Sequence, residues 1–481
     1  MDQAEDFNVQ ATLSNGDVTV GPVPCKIYLP ARVNDRPRME FRPEREQYAR
    51  ITGFHDVSFR AEVTGFSNET EAIIEAPIVY LQEKRTKHWG SDFSESTFSG
   101  EPQHLCVKRF LRKSSEPQKT NVVFWISPNN MLSPQIAQTT SYLGTVERER
   151  IHQHQFTISN NITLTFDRHF RSGREQNGDL RQWSYLVACA DIDSLASDVE
   201  CLKREMLPEI DDFLLIASLG SRTRTACIGW NANDHEVSAT YYRGEYTFPS
   251  GQTELSFDQG LVQPWDFHDF LECAYSNYMK LPDKRSIRGA IYSVVPGRKR
   301  VLEESFISKF AGLETIILDY RKREGFEKIL SAEKWNHLQK YLKNSIKKFD
   351  NPELSEQEIS LLYEKLQEIN RISLRTAFEE FCKKNNIFLE DLWPVFSQNN
   401  SIGLVDIRNR IVHGEPLPEE LLGALSTANE SLRFAIERIL ASMLGWPIER
   451  TEVAPDYISV QWAEFPVLKD QQNLMLEKLQ G

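Results

Sequence analysis

Along the first half of the chain, hydrophobic residues return at every second position. Val9, Ala11 and Leu13 alternate as far as Asn15-Gly16, and Val18 and Val20 resume the alternation beyond it. This pattern predicts two strands joined by a tight turn, because asparagine and glycine tolerate the positive φ angles of a two-residue hairpin. Val57, Phe59, Ala61 and Val63 predict a further strand. So do Ala72 to Leu81, Asn121 to Ile126, Phe156 to Phe166 with a break at Asn160-Asn161, and Tyr185 to Ala190. Polar stretches such as Arg168 to Asp179 read as long loops. These elements predict a β-rich domain of one or two antiparallel sheets, packed in a sandwich-like way.

One helix, at about residues 194–219, interrupts the strands. Leu195, Val199, Leu202 and Met206 recur at spacings of three and four, Pro208 breaks or restarts the pattern, and Ile210 to Leu219 continues it. Gly220-Ser221-Arg222-Thr223-Arg224-Thr225 follows, ahead of strands near Ala226 to Trp230 and Val237 to Tyr246. Two readings fit that loop: a phosphate cradle built on Arg222 and Arg224, or a polar turn between a helix and a strand.

From about Trp265 the period becomes helical, about 3.6 residues. Phe267 to Met279 and Ile287 to Val294 predict two helices. Leu302, Phe306, Phe310, Leu313, Ile317 and Tyr320 form one stripe wide enough for the centre of a bundle. Glu314 lies beside that stripe, either as a surface glutamate or as a support for an arginine. Trp335, Leu338, Leu342 and Phe349 mark the next helix, whose Lys340, Lys343, Lys347 and Lys348 face away from the core. That basic face is either solvated or attractive to RNA. Ser355 and Glu358 form a capping box for a helix carrying Ile359, Leu362, Leu366 and Ile369. Helices over Leu374 to Lys384, Ile402 to His413, and Pro418 to Gly445 complete the series, the last with proline at its start and glycine at its end. After Trp446 the pattern weakens to an irregular or strand-like arm at Tyr457 to Trp462, then a short helix. The expected division is a β-rich sensor or regulatory domain over residues 1–264, a helical domain over 265–446 and an arm over 447–481. The fold class is α+β.

Composition narrows the function. With 481 residues, 40% of them hydrophobic, the chain has room for two or three cores and is not disordered. A net charge of −13 argues against a uniformly basic surface for bulk duplex binding, so any nucleic-acid site is local. The seven cysteines form no C-x-x-C pair, which suggests neither a zinc site nor a disulfide framework. The acidic start, Met1-Asp2-Gln3-Ala4-Glu5-Asp6, and the lack of a long apolar run predict a soluble cytoplasmic protein with no membrane contact. There is no G-x-x-x-x-G-K-[ST] loop, no H-E-x-x-H and no tight acidic or histidine cluster, so no cofactor or metal is expected.

Chemistry concentrates in Asp406-Ile407-Arg408-Asn409-Arg410-Ile411-Val412-His413-Gly414. An arginine and histidine at this spacing are a weak signal alone, and Arg50 with His55, or, one residue wider, Arg148 with His154, are decoys. On a helix turning about 100° per residue, Leu404, Val405, Ile407, Ile411 and Val412 share one side. Asp406, Asn409, Arg410 and His413 share the other. Arg408 projects into the apolar sector, where a guanidinium needs a partner. An ion pair with an acid of a neighbouring helix would supply one; so would a second subunit across a phosphate-binding cleft. Arg408 and His413 lie about 140° apart on an ideal helix, so they converge only if the helix ends before His413 or the arginine curls round. Gly414 favours the first option. His413 reads either as a cation at a helix C-terminus or as a proton-transfer group.

In the form R-N-x-x-x-H-G, late in an all-helical domain, this stretch resembles the signature of the HEPN superfamily of ribonucleases. The layout, with a β-rich region of about 260 residues, a helix leading to Ser218-Leu219-Gly220, and Phe310-Ala311-Gly312-Leu313-Glu314 in the helical domain, resembles the ApeA-type anti-phage proteins. The resemblance implies a HEPN bundle that forms a homodimer, with two motifs sharing one cleft. It implies metal-independent cleavage of RNA, tRNA among the candidate substrates, by 2'-hydroxyl attack. Arg408, Asn409 and His413 would be catalytic; from the residues themselves, Arg410, near His413 on the helical wheel, and Arg222 with Arg224 are candidate phosphate ligands, and Glu314 a candidate supporting acid. The resemblance further implies abortive-infection defence, in which a phage-encoded trigger meets the N-terminal domain. The alternative is a noncatalytic HEPN-like dimerisation or binding module with a ligand-sensing β domain.

Overall fold

The computed structural model describes residues 5–30, 36–64, 69–87, 94–111, 119–140, 146–158, 162–174, 180–193, 198–234, 236–244, 260–295, 300–349, 355–398, 401–415 and 417–480. Leu195, the Asn160-Asn161 break, Tyr246 and the 175–179 end of the expected polar loop lie outside them. Two compact units emerge. Unit 1 comprises residues 1–260 and 264–275, and unit 2 comprises residues 261–263 and 276–481. The fold is α+β, with a β-rich N-terminal region and an all-helical C-terminal region.

Unit 1 starts with β1 (Glu5–Asn15), β2 (Val18–Leu29), β3 (Arg38–Phe41), a short helix α1 (Arg45–Ile51), β4 (Asp56–Thr64), β5 (Glu69–Lys87) and β6 (Ser94–Pro102). The first hairpin forms where the alternation places it: Asn15 pairs with Val18, so the turn residues are Gly16 and Asp17. Phe7, Val9, Ala11 and Leu13 are buried, while the residues between them face solvent. Neighbouring strands run in the order β5-β4-β1-β2-β3-β6, and β6 pairs back onto β5. Six antiparallel strands thus close into a barrel filled by side chains such as Phe41, Phe59 and Val79. Full closure removes the exposed edges that an open sheet would carry.

The remaining strands are β7 (His104–Leu111), β8 (Thr120–Ile126), β9 (Gln135–Thr140), β10 (Val146–His152), β11 (Gln155–Ile158), β12 (Ile162–Arg174), β13 (Leu180–Ile192), β14 (Cys227–Asn233) and β15 (Val237–Arg243). The β9–β10 pair stands as a separate two-stranded sheet, and the others extend the main sheet in the order β7-β15-β14-β8-β13-β12-β11. The barrel and this open sheet share β5. Its Glu69–Glu75 portion pairs with β7, and its Val79–Lys87 portion pairs with β6. Between them lies Pro77, at a register shift against β4, where a proline costs no ladder hydrogen bond. The polar stretch expected as a loop from Arg168 is strand as far as Arg174, because its backbone pairs with β13 regardless of side-chain polarity.

The expected interrupting helix is three pieces: α2 (Val199–Cys201), a π-helical stretch Leu202–Met206, and α3 (Leu207–Ser221) with Pro208 in its first turn. Almost all of α3 is buried, which explains its continuous apolar sequence.

The helical elements follow as α4 (Phe267–Met279), α5 (Arg285–Val294), α6 (Leu302–Arg323), α7 (Ala332–Lys347), α8 (Glu356–Ile369), α9 (Leu374–Lys384), α10 (Leu404–Val412), α11 (Leu422–Met443), α12 (Pro455–Gln461) and α13 (Leu468–Gln480). Within unit 2, α11 is the central helix: Leu425, Leu432, Ile436, Ile439 and Leu440 are fully buried, and α5, α6 and α13 pack around it. The same interior holds Lys309 of α6, whose ammonium donates to Asn429 of α11 at 3.0 Å. Burial pushes that lysine down to about 8. The segment expected as a strand-like arm, Tyr457 to Trp462, is mostly helix α12. Pro455 sets its first turn, and Ile458 is its buried anchor, so the run of bulky residues does not alternate into a sheet. No described helix is long and apolar enough to cross a membrane.

Candidate active site at the end of the motif helix

Helix α10 is short, and its start is fixed from outside. The connection ahead of it is pinned by Arg438 of α11, fully buried, whose guanidinium holds Asp391 through two bonds of 2.6 Å and donates to the carbonyls of Phe388 and Val453. Bidentate arginine–carboxylate pairs combine strength with fixed geometry. Trp393 donates its indole N–H to the Ile402 carbonyl at 2.9 Å. The Asp406 carboxylate then accepts the Gly403 N–H at 2.9 Å and a bond from the Ser397 hydroxyl, satisfying the helix N-terminus. Glycine is required at 403, because a Cβ there would collide with the backbone of Phe396 and Ser397.

The other end of α10 is closed by its backbone. Gly414 adopts φ +75°, the Gly414 N–H donates to Ile411 O at 3.1 Å and the Glu415 N–H to Arg410 O at 3.1 Å. This is the Schellman arrangement, with glycine in the left-handed region one step past the cap. His413 is that cap. It stands just beyond the last helical residue, exposed, and its ring makes no hydrogen bond or ion pair among the described residues. An imidazole so placed is free to meet a ligand.

Arg408 has found its partner on a neighbouring helix. Its Nη2 reaches Glu314 Oε2 of α6 at 3.4 Å, its Nη1 donates to Asn409 Oδ1 at 3.1 Å, and its guanidinium carbon lies 5.9 Å from the ring centre of buried Phe310. The aromatic face and the carboxylate together explain why a cation sits in the apolar sector of this helix. Arg408 remains 33% exposed and Glu314 27%, so the pair is open to solvent on one side and retains donors for an anion. The apolar stripe of α10 is only partly covered. Leu404 and Ile407 are buried, Ile411 is half-buried and Val412 is 52% exposed.

Arg408, Asn409 and Glu314 therefore form one cluster, and His413 ends the same helix without touching it. Arg410 is engaged elsewhere: Nη1 pairs with Glu415 at 3.3 Å and Nη2 donates to the Leu479 carbonyl at the end of α13. Three contributors lay beyond sequence reasoning. Phe310 reads in sequence only as part of a core stripe, Leu479 and Ser397 are unremarkable, and Asp406 three residues after Gly403 carries a recognisable capping signal.

Arg222 and Arg224 belong to unit 1. Arg222 terminates α3 in the left-handed region at φ 50°. The hydroxyls around it are engaged within the protein: Ser221 donates to Ala217 O at 2.7 Å, Thr223 to Ser221 O at 3.1 Å and Thr225 to Thr223 O at 2.8 Å. Asn129, buried, donates to both Ser221 Oγ and Thr225 Oγ1 and accepts from the Met131 and Leu132 N–H groups. The loop is held as a structural turn. Both arginines are half-buried.

Thiol nucleophiles are disfavoured at four of the seven cysteines, since desolvation pushes Cys25, Cys106, Cys227 and Cys382 up to about 12. Among the described residues no group of three His, Cys, Asp or Glu side chains is arranged to hold a metal ion. No protein-family model, no curated protein and no solved structure matches this chain.

Proposed function

We propose that unit 2 is a metal-independent endoribonuclease acting through Arg408, Asn409 and His413, and that the protein serves anti-phage defence by cleaving RNA once infection triggers it. The observation that carries this reading is the pairing of an exposed, unengaged imidazole with an anchored, solvent-facing guanidinium on one nine-residue helix.

RNA brings its own nucleophile. The 2'-oxygen attacks the adjacent phosphorus, the P–O5' bond breaks, and the products are a 2',3'-cyclic phosphate and a 5'-hydroxyl. His413 takes the 2'-hydroxyl proton or delivers one to the leaving 5'-oxygen, because imidazole changes charge near neutral pH. Arg408 holds two phosphate oxygens and stabilises the charge of the pentavalent state. Glu314 and Asn409 position that guanidinium. Base and acid are both needed, and one histidine serves one role at a time. A second copy would supply the other, and the edge formed by half-buried Ile411 and exposed Val412 supports a homodimer through this domain. The β-rich unit 1 would then sense the phage-encoded trigger.

The test is end-group analysis of RNA from infected cells carrying the wild-type protein or His413→Ala. New 2',3'-cyclic phosphate ends are expected with wild type, reduced by about 10²–10⁴-fold in the variant. Equal cleavage by both would refute the reading. The Arg408–Glu314 pair is also what a noncatalytic bundle would use for stability, and intact defence in His413→Ala and Arg408→Ala would select that alternative.

A further inference from the structure

Helix α7 carries a charge reversal within an acidic chain. From Ala332 to Lys348 there are five lysines, Lys334, Lys340, Lys343, Lys347 and Lys348, against one carboxylate, Glu333. All five are exposed. None forms an ion pair with a carboxylate among the described residues, whereas lysines elsewhere in the unit do, such as Lys384 with Glu324 at 2.6 Å and Lys365 with Glu368 at 3.0 Å. At about 100° per residue, Lys340, Lys343 and Lys347 fall within one narrow sector. Neighbours on such a row stand about 5–6 Å apart. Of the four carboxylates of α8, Glu358 is engaged with the Ser355 cap and Glu368 with Lys365, and neither Glu356 nor Glu364 forms an ion pair with a lysine of α7 among the described residues.

Aromatic rings border the row. Lys343 lies 5.6 Å from the ring centre of Tyr363 on α8, and the Tyr363 hydroxyl donates to the Lys343 carbonyl at 3.2 Å. Tyr341 is 68% exposed on the other side. The apolar side of α7, anchored by buried Trp335, is separate from this basic sector.

We propose that the basic face of α7, bordered by Tyr341 and Tyr363, is a docking surface for single-stranded RNA, distinct from the Arg408–His413 motif. Lysines neutralise backbone phosphates and release counterions, and the exposed Tyr341 offers a face on which an unpaired base stacks. This deepens the ribonuclease reading and rests on it for its biological meaning: α7 would hold substrate while α10 acts on it.

The test uses purified full-length protein and a fluorescein-labelled, unstructured RNA oligonucleotide. Binding is followed by anisotropy across a salt series for wild type, Lys340/Lys343/Lys347→Gln, the corresponding triple Arg variant, Tyr341→Ala and His413→Ala. The Gln triple is expected to lose at least about tenfold in affinity and to lower the slope of log K against log salt by about two, near 0.7 per phosphate contact on a single strand. Arginines should restore both. Unchanged affinity and slope in the Gln triple, with an unaltered circular dichroism spectrum, would overturn the proposal. So would loss of binding to phosphatidylserine vesicles without loss of RNA binding, which would make the face a membrane contact. His413→Ala separates the two readings, with cleavage by each variant read in infected cells, where the trigger is present. Binding without cleavage supports both, binding with undiminished cleavage removes only the ribonuclease motif, and a Gln triple that binds and cuts like wild type removes only the docking surface.

Discussion

Two helix C-termini in this protein are built from nearly the same parts. Each carries two arginines, and each turns through a residue in the left-handed region, Arg222 after α3 and Gly414 after α10. In unit 1 the surrounding hydroxyls are tied to one another and to buried Asn129, and the turn serves the packing of α3. In unit 2 the helix stops early, leaves His413 in solvent and holds Arg408 at a half-exposed ion pair. Residue type does not separate the two. What differs is whether the polar atoms have been matched inside the protein, since a polar group with its partners in place has little left to offer a ligand.

Substitutions should widen this contrast. Arg408→Ala has the largest expected effect, a loss of about 10²–10³-fold in RNA cleavage with the fold retained, measured by single-turnover cleavage beside thermal melting. Asn129→Ala should act in the opposite sense, costing about 2–3 kcal/mol in denaturant unfolding with no direct effect on chemistry. It removes a buried side chain that serves two hydroxyls and two backbone N–H groups. Gly414→Ala should cost about 1–2 kcal/mol. A Cβ there meets nothing within 4 Å, so the penalty is wholly backbone, and a cleavage defect beyond that loss would show that the cap sets the direction of His413. Arg224→Ala should have the smallest effect on RNA, leaving binding in the same anisotropy titration unchanged. An RNA-binding loss there would break the comparison by returning the unit 1 loop to the list of phosphate sites.

Much of this was legible beforehand. The α+β division, the first hairpin, and helices α4 to α11 follow from hydrophobic period alone, because burial of one face imposes that period. That Arg408 needs an acid nearby follows from a cation in an apolar sector, but its identity did not, since Glu314 read also as a surface glutamate. Barrel closure was not legible: it depends on β3 pairing with β6, Met39 opposite Gly100, a non-local contact that alternation cannot encode. Strand continuation through Arg168 to Arg174 was hidden because backbone pairing with β13 sets it while its side chains read as loop. The Tyr457 to Trp462 segment misled by composition, its bulky residues favouring a strand until Pro455 and the burial of Ile458 are taken together. At the site, Phe310 beneath Arg408 and the Leu479 carbonyl on Arg410 are tertiary facts, and no spacing rule points to them.

The shared strand β5 has a mechanical consequence. Because one continuous chain segment is a stave of the barrel and the first rail of the open sheet, opening either one strips hydrogen-bonding partners from a strand that the other depends on. Amide protons along Val79–Lys87 and along Glu69–Glu75 should therefore exchange with one opening energy, and a distortion imposed on the barrel would be transmitted along β5 to β7 as a change of register or tilt.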